Sequence, residues 1–272
     1  MKIKKDLHIH TTYCDGKSAP EEIVLAAIGL GVDVLGFSGH SYTFFDETWC
    51  MSREGTNQYI DEIRLLKEKY SQDIEILCGT EQDYYSDASV EAYDYFIGSV
   101  HYIGIPKENR PVIEGCLEYA DFIYIPIDES ADIQKNAADA YFGGDIYALA
   151  AKYFETVSGW ADKNIRPAFI GHFDLITKFI EKTPLFDTGN PRYVSAWKAA
   201  ADKLLAAGFV FEINTGAISR GYRTAPYPSF EIQDYIAQNG GRFIMSSDSH
   251  HKNTLMYKFD EFERSSYSNG NL

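Results

Sequence analysis

Ile3-Lys4-Lys5-Asp6-Leu7-His8-Ile9-His10 decides the architecture, because it is a short alternating run that ends in two histidines. The same form returns as VDVLGFS (32–38), IEILCGTE (74–81), YFIGSVH (95–101), PAFIGH (167–172), FVFEIN (209–214) and RFIMSSD (242–248). Each run has strand length and is rich in β-branched or aromatic residues, and the segments between them carry helical spacing. Ser18-Ala19-Pro20-Glu21 reads as a capping box opening a helix through EEIVLAAIGLG (21–31) that stops near Gly31. Thr56 to Tyr70 places Ile60, Ile63, Leu66 and Tyr70 on one stripe, and Tyr193 to Ala207 does the same with Trp197, Leu204 and Leu205. Strands alternating with helices, several of them apolar throughout, predict a parallel sheet covered on its faces, either a closed barrel or a doubly wound sheet. From Ile103 to Asp145 the rhythm breaks, with Pro106, Pro111, Pro126, Gly143, Gly144 and the β-like FIYIPI (122–127), and this stretch reads as an insertion over one barrel mouth.

A chain of 272 residues with 45% hydrophobic composition can bury a substantial core and lies near the size of one α/β barrel, so a single domain over 1–272 is expected. The formal net charge of −15 repels a polyanion and argues against a nucleic-acid partner. A small phosphorylated substrate remains compatible, provided that metals and a few arginines reverse the field inside a pocket. The opening residues lack the apolar core of a secretory signal, and no run is long enough to span a bilayer, so no membrane partner is expected. Cys14, Cys50, Cys78 and Cys116 form no CxxC pair, which fits reduced thiols and a cytoplasmic location. The tail SSYSNGNL (265–272) is polar and reads as frayed.

Imidazoles and carboxylates sit where those strands finish. His8 and His10 close the first, His40 follows the second, Glu81 the third, His101 the fourth and His172 the PAFIG run, while Asp248 and His250 close the last. In closed and open α/β sheets alike, the carboxyl ends of the strands form one mouth, so residues far apart in sequence converge there. Two positions apart on a strand, His8 and His10 face one side and Ile9 the packing layer, and Asp248-Ser249-His250 repeats the spacing. A mixed set of His, Asp and Glu suits Zn, Fe or Mn rather than a calcium cage. With roughly eight or nine candidate ligands and four taken by a tetrahedral ion, more than one metal is implied.

The series DLHIH, GFSGH, GTE, IGSVH, IGHFD and SSDSH, in this order from Asp6 to His251, resembles the PHP (polymerase and histidinol phosphatase) family, and above all its stand-alone histidinol-phosphate phosphatases. That resemblance implies a distorted barrel of about seven strands, a (β/α)7 variant of the closed α/β architecture. It also implies two or three divalent metal ions and hydrolysis of L-histidinol phosphate to L-histidinol and phosphate, a step of histidine biosynthesis. Carried across motif by motif, one metal would take His8, His10, Glu81 and Asp248, with Glu81 bridging to a second held by His101 and His172. A third would take His40, His250 and Asp15, the last standing where many relatives carry a His. Gly39 stands where the family commonly has an acidic residue. The family's basic residue after the EIN strand corresponds to Arg220 or Arg223, whose guanidinium forks match phosphate oxygens.

Under that resemblance, metal coordination makes water nucleophilic toward phosphorus and Arg220 adds charge stabilisation. Asp174 and His251 are the candidates for protonating the leaving oxygen, while Asp174 equally fits an orienter of His172 and His251 a plain structural residue. Tyr102, Tyr124 and Tyr141 could cap a ring of the substrate, and Asp128 and Glu129 could face an amine or merely solvate a loop. Cys14 reads as a spectator thiol, and Arg53 and Arg192 as surface charges. The competing readings are a phosphatase for another small phosphomonoester, a proofreading-type nuclease and a metal-binding module without turnover.

Overall fold

The computed structural model describes residues 3–262, and the tail read above as frayed lies outside the described residues. In chain order the strands are β1 (Lys5–Asp6), β2 (Val34–Phe37), β3 (Glu75–Asp83), β4 (Tyr95–Ser99), β5 (Tyr102–Pro106), β6 (Leu117–Tyr119), β7 (Phe122–Pro126), β8 (Phe169–Ile170), β9 (Val210–Asn214) and β10 (Arg242–Ser246). Seven of them form one sheet in the order β1-β2-β3-β4-β8-β9-β10, every pairing parallel. Spatial order follows chain order, so there is no reversal of the kind that defines a doubly wound sheet. Just past β1 and β10 the ring meets itself: His10 N donates to Ser249 O at 2.8 Å and Ser249 N to His8 O at 3.0 Å. The outcome is a nearly closed seven-stranded parallel barrel.

The expected insertion contributes its own three-stranded antiparallel sheet, β5-β7-β6, with FIYIPI forming β7. The helices are α1 (Pro20–Gly29), α2 (Arg53–Lys69), α3 (Ala131–Tyr141), α4 (Ile146–Ser158), α5 (Pro191–Ala206), α6 (Gly216–Ser219), α7 (Phe230–Gln238) and α8 (Phe259–Phe262). The α2 stripe is buried through Tyr59, Ile60, Ile63 and Leu66, and its N-terminus is capped by Ser52, which accepts from Gly55 N at 2.9 Å. The expected cap of α1 is corrected. Ala19, not Ser18, precedes its first turn, and Glu22 accepts from Ala19 N at 3.2 Å. Ser18 is drawn away because its Oγ accepts from Lys252 N at 3.1 Å, tying α1 to the segment after the last strand.

Barrel strands must fill a narrow interior, and here the deep part is apolar: Leu7, Ile97, Phe169, Val210 and Ile244 form one buried cluster. Tyr95 lies against it and donates its hydroxyl to Leu7 O at 2.7 Å. Gly36 and Gly79 make room for that ring, since a Cβ on either would come within 2.4 Å of it. Parallel partners share a face, so the register Ile97↔Glu81 and Ile244↔Glu212 turns both glutamates into the barrel above the apolar layer. β1 is shorter than the sequence pattern predicts. It stops at Asp6, and alternation then fails, because Leu7 joins the inner cluster while Ile9 joins the outer one with Ile23, Leu35 and Phe37.

Candidate metal centre

All nine ligand candidates gather at the carboxyl ends of the barrel strands. Their donor atoms fall into four overlapping groups, each spanning no more than 4.8 Å: His10, Asp15, His40 and His250; His8, Glu81 and His172; His8, His10 and Asp248; and His40, Glu81 and His101. Glu81 is common to two of them and sits at the middle. It lies within β3 rather than after it, a correction to the strand-end pattern that matters because a strand holds a carboxylate more rigidly than a loop. Its Oε2 is 2.9 Å from His40 Nδ1, 3.2 Å from His8 Nε2 and 3.5 Å from His10 Nε2, while its Oε1 is 2.7 Å from His172 Nε2 and 3.3 Å from His101 Nε2. Asp248 Oδ1 stands 3.2 Å from His10 Nε2 and 3.8 Å from His8 Nε2.

These separations suit a metal ion held between the side chains. A tetrahedral ion with nitrogen and oxygen ligands at ~2.0–2.1 Å keeps them about 3.4 Å apart. Moreover His8 Nε2, His10 Nε2, His40 Nδ1 and Glu81 Oε2 are buried and make no hydrogen bond, so four polar atoms gathered in one place have lone pairs that a metal ion would engage. The grouping differs from the motif-based one in three respects: His172 falls with His8 and Glu81 rather than with His101, His40 falls with Glu81 and His101 as well as with the outer set, and His10 belongs to two groups. His10 is shared between the deep and outer groups, its Nδ1 lying 3.6 Å from Asp15 Oδ1 and its ring stacked on His250 at 4.0 Å.

Charge follows the same geometry. Burial opposes charge on His8, but Glu212, Glu81 and Asp248 around it hold its pKa well above the ordinary value. Burial, reinforced by His250 and His40, pulls His10 down to about 3, leaving a neutral imidazole ready to donate a lone pair. For Glu81 and Asp248 burial is outweighed by their cationic neighbours, so both stay well below the usual carboxylate range. Asp15 is also lowered, and its carboxylate stands 3.6 Å from His40 Nε2 and 3.0 Å from His250 Nε2. The first loop thus brings an acid to the outer group, on which Gly39 provides none.

Glu212 is the residue that sequence reasoning missed. Fully buried, it sits 2.5 Å from His8 Nδ1, accepts from His172 N at 2.7 Å and from Asn214 Nδ2 at 2.9 Å, and also bonds Ser246 Oγ. A carboxylate on the far nitrogen fixes the ring so that Nε2 faces the cluster. Its signal was the inward phase of FVFEIN, where an acid alternates among apolar residues. Asp83 serves His101 similarly, accepting from its backbone N at 2.9 Å and lying 3.3 Å from its Nδ1.

Arg220 lines the cavity formed by Glu81, His101, His172, Asp248 and His250, and grips Asp248 Oδ2 at 2.8 Å. Arg223, three residues on, does not reach it. It is buried, bonds Thr177 Oγ1 and stands 3.8 Å from Asp174 Oδ2, so it acts as the internal counter-ion of an acid that also accepts from Ser229 N. Asp174 is fully buried, its Oδ2 is taken up by Ser229 N and Arg223 while its Oδ1 has no hydrogen-bond partner, and no hydrogen bond joins it to His172. His251 lies at the rim, in the outer cavity with Asp15, Arg220 and His250, and its Nδ1 accepts from Asn253 N at 3.1 Å, which leaves the ring hydrogen on Nε2. Tyr102 lines a third cavity, of about 300 Å³, with Asp46, Trp49, His40, His101, Asp128 and Glu129. Tyr124 instead stacks on Phe45 at 3.7 Å, and Tyr141 donates to Pro111 O, so neither faces the site. Burial pushes the Cys14 thiol up to about 12, in keeping with a spectator 3.7 Å from His10 Nδ1.

A family model described as PHP domain matches residues 6–216. A Schizosaccharomyces pombe protein named "Probable histidinol-phosphatase" is 28% identical over 251 residues, covering 85% of this chain and 74% of its own. Among solved structures, one from Listeria monocytogenes superposes with a TM-score of 0.75 at 20% identity, over 96% of this chain and 100% of the other. A second, the histidinol phosphate phosphatase of Lactococcus lactis subsp. lactis complexed with zinc, L-histidinol and phosphate, gives a TM-score of 0.60 at 17% identity, over 92% of this chain and 87% of the other. Among the described residues no helix is long and apolar enough to cross a membrane.

Proposed function

The chain belongs to the PHP domain family, and from that premise we propose that it is a metal-dependent phosphomonoesterase that hydrolyses L-histidinol phosphate to L-histidinol and phosphate in the cytoplasm. The observation that carries this reading is the convergence of nine widely separated acids and imidazoles into four overlapping donor groups, with unsatisfied buried nitrogens aimed at one carboxylate. His8, His10, Glu81 and Asp248 would hold one divalent ion, Glu81, His101 and His172 a second, and Asp15, His40 and His250 a third. Bound there, such ions supply Lewis-acid charge and a water that deprotonates near neutral pH.

The protein's own contribution is to place everything else. Glu212 turns His8 toward the cluster, Arg220 holds Asp248 and His250, and of the two proton-donor candidates only His251 stands at a cavity. The adjoining cavity supports the substrate: Trp49 and Tyr102 offer ring faces, and Asp46, Asp128 and Glu129 offer negative charge to an amine. The name of the S. pombe relative points the same way.

A panel of phosphomonoesters assayed with metal-replete protein tests the proposal. Histidinol phosphate is expected to exceed glycerol phosphate and p-nitrophenyl phosphate by about 100-fold in kcat/KM, because a site built for an ammonium rejects substrates that lack one. A better small phosphomonoester would replace the substrate, and metal-loaded protein that releases no phosphate from any of them would end the hydrolase reading.

A further inference from the structure

Two basic side chains, Arg220 and Lys178, line the cavity that holds the candidate ligands, and they are employed differently. Arg220 Nη1 donates to Asp248 O at 2.7 Å and to His250 Nδ1 at 2.9 Å, and Nη2 donates to Asp248 Oδ2 at 2.8 Å. Three of its five N–H groups, both of those on Nη1 among them, are thus engaged in holding Asp248 and His250. Lys178 follows the short 3-10 turn Leu175–Thr177, on the loop after β8 that also carries His172. Its side chain is 14% exposed, and Nζ donates to Asp128 O at 2.6 Å and Asp128 Oδ2 at 3.1 Å. The Tyr222 ring stands 4.9 Å from Nζ on another side. An ammonium carries three hydrogens, and Asp128 takes two.

Asp128 lines both the ligand cavity and the neighbouring aromatic and acidic one. The Lys178–Asp128 pair therefore stands on the partition between the place proposed for phosphate and the place proposed for the amine. We infer that Lys178 is a phosphate-contacting residue, its ammonium meeting a non-bridging phosphoryl oxygen while Arg220 keeps Asp248 and His250 in position. This rests on the phosphomonoester reading and deepens it by naming the cation that reads the phosphate. A compact charge on a flexible stem can follow oxygens that move as the ester bond breaks, and a tether to Asp128 spares most of the cost of ordering it. If Lys178 served only to neutralise Asp128, phosphate would not feel its loss.

The direct probe is inorganic phosphate, titrated calorimetrically into the metal-replete full chain. Lys178→Met should weaken phosphate binding about tenfold or more and lower kcat/KM for the phosphomonoester by roughly 100-fold, the scale of a lost charge-stabilising donor, with metal content and melting temperature unchanged. Lys178→Arg should restore most of the binding. A second measurement needs no variant: saturating phosphate should protect Lys178 from acetylation in the parent protein, read by mass spectrometry. Phosphate affinity within twofold of the parent in Lys178→Met, or acetylation indifferent to phosphate, overturns the inference. Protein that binds phosphate through Lys178 yet hydrolyses no phosphomonoester overturns the hydrolase reading and leaves this one standing.

Discussion

The deep and outer parts of the barrel interior are built by the same strands and follow opposite rules. Below, Leu7, Ile97, Phe169, Val210 and Ile244 close the space with apolar atoms, and Tyr95 packs on them with its hydroxyl satisfied. Above, inward positions of the same strands carry Glu81, Glu212 and Ser246, and imidazole nitrogens remain buried without partners. The lower layer stabilises the fold through burial alone, whereas the upper layer sets desolvated carboxylates against cationic neighbours and leaves imidazole nitrogens open until a ligand completes them. Val210 and Glu212, like Ile244 and Ser246, are successive inward positions of one strand, so stability and chemistry lie two residues apart and substitutions should sort accordingly.

The sharpest way to break the comparison is Glu81→Gln, which removes the carboxylate at the centre of the cluster. Activity should fall by about 1,000-fold, the upper range for one preorganised electrostatic group, while the melting temperature of metal-free protein stays level or rises. A metal-free variant that melts well below its parent would show that Glu81 belongs with the stabilising layer. In the lower layer, Ile97→Ala should cost about 2–5 kcal/mol of stability in denaturant titration, with metal content and kcat of the surviving folded protein retained. Loss of metal at full stability would erase the distinction.

Glu212→Gln tests the boundary between the two. It touches His8 and His172 without reaching the cavity, so metal affinity should weaken by roughly 10–100-fold, measured by competition with a chelator, and excess metal should rescue activity. The smallest effect is a pH slope in metal-free protein. His10 is held down to about 3 from an ordinary 6.5, so between those values the unfolded chain binds a proton that the folded one refuses. Stability contributed by neutral His10 is present above about pH 6.5 and is lost on acidification toward pH 3, since it falls wherever the unfolded state binds more protons. His10→Asn should flatten that slope in melts collected across this window, and an unchanged slope would assign it to other groups.

How much was legible beforehand follows from which interactions are local. The seven runs of strand residues mark the seven barrel strands, because period-two alternation and flanking helices are encoded within a few residues. His8, His40, His101, His172 and Asp248 converge as expected because strand ends meet in this architecture whatever the details. Arg223 and Asp174 pair with each other for the converse reason. Arg220 and Arg223 occupy the same polar loop, and only the packing of that loop against Thr177 and Tyr227 turns one toward the cavity and the other inward.

The sequence by itself determined the order of the seven barrel strands and the residue types at their rim, since each depends on residue type and short-range period. Tertiary structure alone decided that the sheet closes through Ile9 and Ser249, that Glu212 supports a histidine 204 positions away, and that Lys178 and Asp128 pair across 50. Those contacts depend on the strands' mutual register and on the ring's closure, which are set by packing the whole interior at once and leave no local trace in any one segment.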